Sequence, residues 1–436
     1  MGAGTAAMEA GEREPRLLSL RLSIMFFLQW ATWGIWIPVL ARCLKASVEQ
    51  GGLGFSELQL GLIMGVPATV GALAAPFIAG QLADRYFSTE RLVAVLEITT
   101  GVLLWTLTTQ KSFGVWMTLM IVSSVVRVPT VALGNSLAFA HLSDAKARFP
   151  RVRAWGTIGW IVAGWVFAMV WLQSGLHFQW LPPFLVGTEV PDVTARLLDA
   201  MRAGAILSVI YGLYCLTLPH TPPKREGVDP LAFRKAFKLF RFRSFVVLMA
   251  AGLIIASIQS IYFIQTANFL PSLGLPEADL LPAMSTAQFA EIVFMVFLGF
   301  LLKRLGFRWV LAMGAFAYVL RFAVFGTTTL PLGVIVASQG LHGVCFACFY
   351  AGAFLYVEHL AEKDVRASAQ TLIGIVLGIG PVLGGLLSAR LAAQFTGADG
   401  AIDYSPFWYT VSAIGVVATV LLAGFFRDET KEREAI

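Results

Sequence analysis

The chain has 436 residues, 57% of them hydrophobic and only 13% charged, with a formal net charge of +6. Soluble domains carry about a quarter charged residues, and a soluble chain this apolar would lack the polar surface to cover itself. Composition therefore excludes a soluble enzyme, a disordered chain, a nucleic-acid-binding domain and a disulfide scaffold. It predicts an all-α integral membrane protein, because a crossing helix takes about 20 mostly apolar residues.

In chain order, Met1 to Pro15 is polar and small, and the apolar run that follows is long and rich in tryptophan. No cleavable leader is expected there. Twelve transmembrane helices are predicted. The first six are Leu20–Ala41, Glu57–Gln81, Leu92–Thr109, Val115–Ala140, Val152–Trp171 and Ala200–Leu218. The second six are Phe245–Leu270, Ala283–Leu302, Trp309–Gly326, Leu332–Val357, Thr371–Ala393 and Phe407–Phe426. The expected organisation is an N-terminal six-helix bundle (1–219), a cytoplasmic linker (220–244) and a C-terminal six-helix bundle (245–436). The linker opens on prolines and ends in the basic run LAFRKAFKLFRFR. That run suits an amphipathic helix on the membrane surface, and equally a solvated basic face.

Basic residues orient the bundle. With both termini cytoplasmic, 23 of the 32 Lys and Arg fall in inside segments and five in outside loops. This is a strong positive-inside bias, and it accounts for the basic balance through anionic lipid rather than nucleic acid. Of the four cysteines, Cys345 and Cys348 form C-x-x-C within an apolar run. No second pair or histidine cluster accompanies them, so helix packing is expected, with no metal and no cofactor.

The end of span two and the loop after it contain Gly80, Asp84 and Arg85, and a related glycine, Gly299, stands at the end of span eight 219 residues later, half the chain away. Two halves with matching loops suggest duplication, as in secondary transporters with a midplane site between repeats. Gly80, Asp84 and Arg85 are therefore candidates for a conformational gate, although the second copy has Lys303 in place of the aspartate. The twelve spans, the central basic linker and this loop resemble the major facilitator superfamily. The resemblance implies alternating access by rocking two halves.

Polar groups inside spans are functional candidates by default. In span five, Arg153, Thr157 and Trp160 share one helical face, combining a donor fork, a hydroxyl and an aromatic plate suited to a flat ring bearing hydroxyls. Arg153 equally fits a residue snorkelling to the inner interface. Span eight presents Gln288 and Glu291 at i, i+3. Glu291 suits proton carriage, because burial favours the neutral carboxyl, or a static pair with Arg127 or Arg321. Span seven carries Gln259, Tyr262 and Gln265 at three-residue intervals, and span ten carries His342 followed one turn later by Phe346. Glu97 has no evident partner and reads as a structural polar group nearer an interface.

Short strings from both halves are similar to the bacterial nucleoside:proton symporter family within that superfamily. They include FLQWATWGIW at Phe27–Trp36, RAWGTIGW at Arg153–Trp160, AQFAEIVF at Ala287–Phe294, LRFAVF at Leu320–Phe325 and VEHLAEKDVRASAQ at Val357–Gln370. The resemblance implies that Arg153, Thr157 and Trp160 line a nucleoside pocket, with Trp160 where the family often has Phe. It implies that Gln288 and Glu291 bond the ligand, that Glu291 couples protons, and that Gln259 and Tyr262 contribute from span seven in a loose register. His342 and Phe346 complete the candidate wall. One departure is Ala347, where related chains can carry an acidic residue, and Arg127 is a charge with no evident role.

The sequence reading is thus a monomeric transporter of a bacterial inner membrane. It imports nucleosides with protons, binds no nucleic acid and is not an enzyme. The alternatives are a facilitator or symporter of another polar metabolite such as a sugar, and a membrane sensor or enzyme. The last finds no signalling domain and no catalytic or metal-ligating constellation in the sequence.

Overall fold

A backbone in a lipid core must satisfy its own hydrogen bonds, as helix or as closed barrel, and this chain takes the first course. The computed structural model describes residues 2–78, 86–142, 145–180, 184–223, 237–362 and 365–429, and these are almost wholly helical. Nine helical stretches among the described residues are long and apolar enough to cross a membrane.

Toward the N-terminus lie α1 (Gly2–Gly34), α2 (Ile37–Lys45), α3 (Glu57–Phe77), α4 (Thr89–Leu107), α5 (Phe113–Arg127), α6 (Pro129–His141), α7 (Ala145–Trp171) and α8 (Val193–Cys215). Proline explains two of the breaks. Pro38 opens α2 and Pro129 opens α6, each at a helix start where its missing N–H costs nothing. Toward the C-terminus lie α9 (Arg243–Ser272), α10 (Leu280–Gly326), α11 (Leu332–Ser338), α12 (Leu341–Val344), a π-helical segment at Cys345–Ala351, then α13 (Gly352–Leu360), α14 (Arg366–Phe395) and α15 (Tyr404–Val420).

The stretch containing α10 runs 50 residues, far more than the roughly 20 that cross a bilayer once. The chain turns within it at Gly306 (φ 73°, ψ 169°), a conformation that glycine adopts without steric cost. Spans eight and nine of the sequence reading are thus joined by a single-residue break.

The packing pairs helices far apart in sequence. α1 packs on α7, α4 on α8, α9 on α14 and α10 on α15, while α3 lies along α14 and α7 along α10. Where α3 crosses α14, Gly61 and Gly385 face each other, and a Cβ on either would run into the other's backbone carbonyl. Small residues give membrane helices their close approach, since lipid is as apolar as the side chains it replaces. A dense aromatic core fills the α9–α10–α15 region, with Trp408 stacked 5.3 Å from Phe322 and edge-on to Phe325 at 5.2 Å.

Two features depart from the sequence reading. The connection between α7 and α8 holds a two-stranded antiparallel hairpin, β1 (Gln173–Phe178) with β2 (Leu185–Glu189), so the chain is not purely α. Glu97 is not without a partner: it is fully buried and accepts a 2.7 Å hydrogen bond from the Thr130 hydroxyl. The loop carrying Gly80, Asp84 and Arg85, and linker residues 224–236 with the first six residues of the basic run, lie outside the described residues. The described start of the linker is pinned to α4. Glu90 accepts from the Thr221 N–H at 2.9 Å and meets His220 Nδ1 at 2.9 Å. Burial raises the Glu90 pKa, but these bonds, with the pull of its own backbone N–H and of the Ser88 side chain, together outweigh it and hold the carboxyl below its ordinary range.

Candidate functional site

The apolar faces of the helices leave a cavity of about 260 Å³ among α1, α7, α9, α10 and the α12–π segment. Its wall contains Arg153, Thr157 and Trp160 from α7, Gln259 from α9, Gln288 and Glu291 from α10, His342 from α12 and Phe346 from the π segment. Eight of the nine predicted residues are therefore brought together from segments spread between Arg153 and Phe346 of the sequence. Trp30, Phe263 and Tyr350 complete the wall. The sequence reading did not single these three out, although Trp30 lies in the first quoted string and Tyr350 follows Phe346 by one helical turn.

Tyr262 is not among the wall residues. It is 2% exposed, and its hydroxyl donates to Gln339 Oε1 at 2.6 Å. The three-residue stripe on α9 fails for a geometric reason. Steps of three fall short of the 3.6-residue turn, so each successive side chain rotates off the face. Gln259 reaches the cavity and Tyr262 lies behind it. Gln265 turns to α3 and α14, bonding Glu57 at 2.8 Å and Ser388 at 3.0 Å. Phe263, four residues after Gln259, shares its face and takes the place in the wall expected of Tyr262.

The polar groups of the wall are preset. Tyr318 donates to Gln259 Oε1 at 2.7 Å, which occupies one of that oxygen's two lone pairs and fixes the amide's orientation, with its N–H groups left to donate. With its nitrogen turned to the backbone, Gln288 donates to the carbonyls of Met284 (3.1 Å) and Ser285 (3.3 Å), so its oxygen is the group left to accept. The Arg321 guanidinium approaches His342 Nδ1 at 3.4 Å. An arginine only donates, so Nδ1 accepts and a neutral ring carries its proton on Nε2. Arg153 lies over the Trp30 face, 4.4 Å from the ring centre, a position that satisfies the cation without an anion.

Glu291 and Arg153 are the carboxylate and guanidinium of the same wall. Arg153 is the cation whose charge acts on Glu291. Arg321 is fully buried and stacks 3.8 Å over Tyr262 instead, and Arg127 lies over Trp33 at 3.9 Å. Neither supplies the static partner for Glu291 that the sequence left open. The π segment widens the helix by one residue per turn, a device frequent at functional sites. It presents Phe346 and Tyr350 to the cavity while Ala347 is fully buried and outside the wall. The four cysteines are buried free thiols, and no cluster of metal-ligating side chains occurs among the described residues.

Residues 17–431 match the model of the nucleoside H+ symporter family. The chain belongs to this family. It is 30% identical to YegT of Escherichia coli (strain K12) over 95% of each chain. It is 26% identical to the nucleoside permease NupG of the same organism, over 94% of this chain and 96% of that one. A crystal structure of nucleoside transporter NupG superposes with a TM-score of 0.78 at 25% identity, covering 94% of this chain and 99% of the other. The fold is that of the major facilitator superfamily, and the protein is a membrane-embedded transporter, not an enzyme.

Proposed function

We propose that this symporter binds its nucleoside in the cavity walled by Arg153, Thr157, Trp160, Gln259, Gln288, Glu291, His342 and Phe346, and that Glu291 carries the coupled proton. The protein is a secondary transporter that imports nucleosides with protons. The observation that carries the site assignment is the convergence of one carboxylate, one guanidinium, two amides and a neutral imidazole on a cavity with aromatic walls. Such a cavity offers stacking for a base and both donors and acceptors for a ribose. A carboxyl shut away from water with a bound ligand is easier to keep neutral than ionised. Loading a proton on one side and releasing it on the other therefore gives the carboxyl a natural role in coupling.

In this reading, twelve spans form two six-helix halves, 1–219 and 245–436, which rock about the cavity. The α3–α14 and α7–α10 seams are the moving contacts, and the loop at Gly80, Asp84 and Arg85 steadies one of the two states. The charge bias of the loops supports an inner-membrane protein with both termini cytoplasmic. No described feature requires more than one copy, so the working unit is a monomer in lipid.

The test is uptake of labelled uridine, adenosine and a hexose into proteoliposomes, with and without an imposed pH gradient, acid outside. Nucleoside is expected to accumulate only with the gradient. No nucleoside uptake above protein-free vesicles overturns the function. Glu291→Gln is expected to keep counterflow exchange and to lose gradient-driven accumulation. Accumulation that stays pH-dependent in that variant removes Glu291 from the proton path.

A further inference from the structure

A second cavity of about 450 Å³ adjoins the first and shares Trp30, Trp160, Gln259, Phe263 and Tyr350 with it. Its wall holds one charged side chain, Arg127. This arginine is 6% exposed and lies against two tryptophan faces, 3.9 Å from the Trp33 ring centre and 4.8 Å from that of Trp36. Its Nε and Nη1 are closed off without a hydrogen-bond partner among the described residues, which leaves Nη2 as the nitrogen able to face the cavity. Glu97 lies near enough for its charge to act on Arg127, but its Oε1 is taken by Thr130 and its Oε2 has no hydrogen-bond partner. The guanidinium is therefore short of acceptors, and a buried donor left unmatched is costly.

The two arginines are linked by a ladder of rings. Arg127 lies on Trp33 and Arg153 on Trp30, and those rings are 5.9 Å apart, with Trp160 a further 6.3 Å from Trp30. A ligand held by Arg153, Gln288 and Glu291 in the smaller cavity can thus extend along the ladder into the larger one.

We propose that Arg127 is a specificity residue that reads the oxo edge of the nucleobase, so that this transporter prefers 6-oxopurine and 4-oxopyrimidine nucleosides over their amino counterparts. The proposal rests on the nucleoside reading above. A guanidinium has five N–H donors and no acceptor. It matches a ring carbonyl, as arginine does with carbonyl-bearing base edges in nucleic acids. An exocyclic amino group in the same place turns N–H toward N–H, and a site built around a buried hydrogen bond rejects such a ligand more strongly than a purely apolar site would.

Two nucleoside pairs isolate this contact, because inosine and adenosine differ only at position 6 of the purine apart from the ring proton that follows it, and uridine and cytidine likewise at position 4 of the pyrimidine. In proteoliposomes holding the full chain, each is used to compete with labelled uridine influx. The oxo member of each pair is expected to compete better by about tenfold or more, as one well-made arginine contact gives. Arg127→Gln, whose amide both donates and accepts, is expected to bring both ratios toward unity. Equal competition within both pairs in the unsubstituted protein overturns the role of Arg127 and leaves nucleoside transport standing. Discrimination that survives in Arg127→Gln also overturns it. Absence of transport for every nucleoside overturns the function itself, along with this inference.

Discussion

The polar wall of the cavity depends on side chains that never touch it. Tyr318 is fully buried and donates to Gln259, so the Gln259 amide is held in one orientation before a ligand arrives. A net neutral hydrogen bond is worth about 0.5–1.5 kcal/mol. Tyr318→Phe, which removes only the hydroxyl, is therefore expected to raise the uridine KM roughly two- to tenfold while changing thermal stability little. Uptake kinetics with the melting curve of the same preparation check this. An unchanged KM means that Gln259 does not meet the ligand. Tyr262 acts in the same way a layer further back, fixing Gln339, whose own nitrogen donates to the Ala283 carbonyl at 3.1 Å.

Among the elements, the α3–α14 crossing leaves almost no room. Gly61 and Gly385 meet there backbone to backbone. Gly385→Val inserts a branched side chain where even one carbon has no space, and overpacking of this kind costs about 1–3 kcal/mol where the structure yields. Because α3 and α14 come from opposite ends of the chain, the strain falls on the seam between the proposed halves. The variant is expected to melt at lower temperature and to transport more slowly, whereas Gly333→Val, at a glycine with open space around it, is expected to do neither. Equal melting of the two variants would show that the crossing is looser than its geometry. The π segment illustrates the same scale from the other side. Its extra residue per turn could not be read from a run of apolar letters, and it decides that Phe346 faces the cavity while Ala347 does not.

On the scale of the molecule, one end of the bundle is closed by polar contacts between segments far apart in the chain. Arg42 donates to Glu277 Oε1 from Nε at 2.8 Å, and Thr194 donates to Oε2 at 2.9 Å. Lys45 pairs with Glu57, which Gln265 also bonds. The hairpin joins in through Glu189, which accepts from the Ala278 N–H at 2.9 Å. An opposite-charge contact shared by the two proposed halves should weight one conformation over the other, because a ligand-free equilibrium follows whatever contacts differ between its states. Glu277→Gln is expected to open this end more often. Cys43, buried beside Arg42, is a native reporter. Its alkylation by a maleimide, mapped by peptide mass spectrometry, is expected to quicken several-fold in the variant. An unchanged rate would mean that the Glu277 contacts do not restrain opening.

Membrane class, approximate span positions and the family strings were legible in the residues alone. These signals are local: a long apolar run must become a helix wherever lipid surrounds it, and a string such as RAWGTIGW carries its own register. The candidate site was partly legible, since Arg153, Thr157 and Trp160 share a face by spacing within one helix. What needed the tertiary structure was how each helix is rotated and what lies across from it. That rotation put Phe263 rather than Tyr262 in the wall, sent Gln265 to Glu57, and buried Glu97 against Thr130. It also set Arg127, which seemed without a role, on the same tryptophan ladder as Arg153. Such relations join residues tens to hundreds of positions apart, and a turn of 3.6 residues does not reveal which of its faces a distant helix will meet.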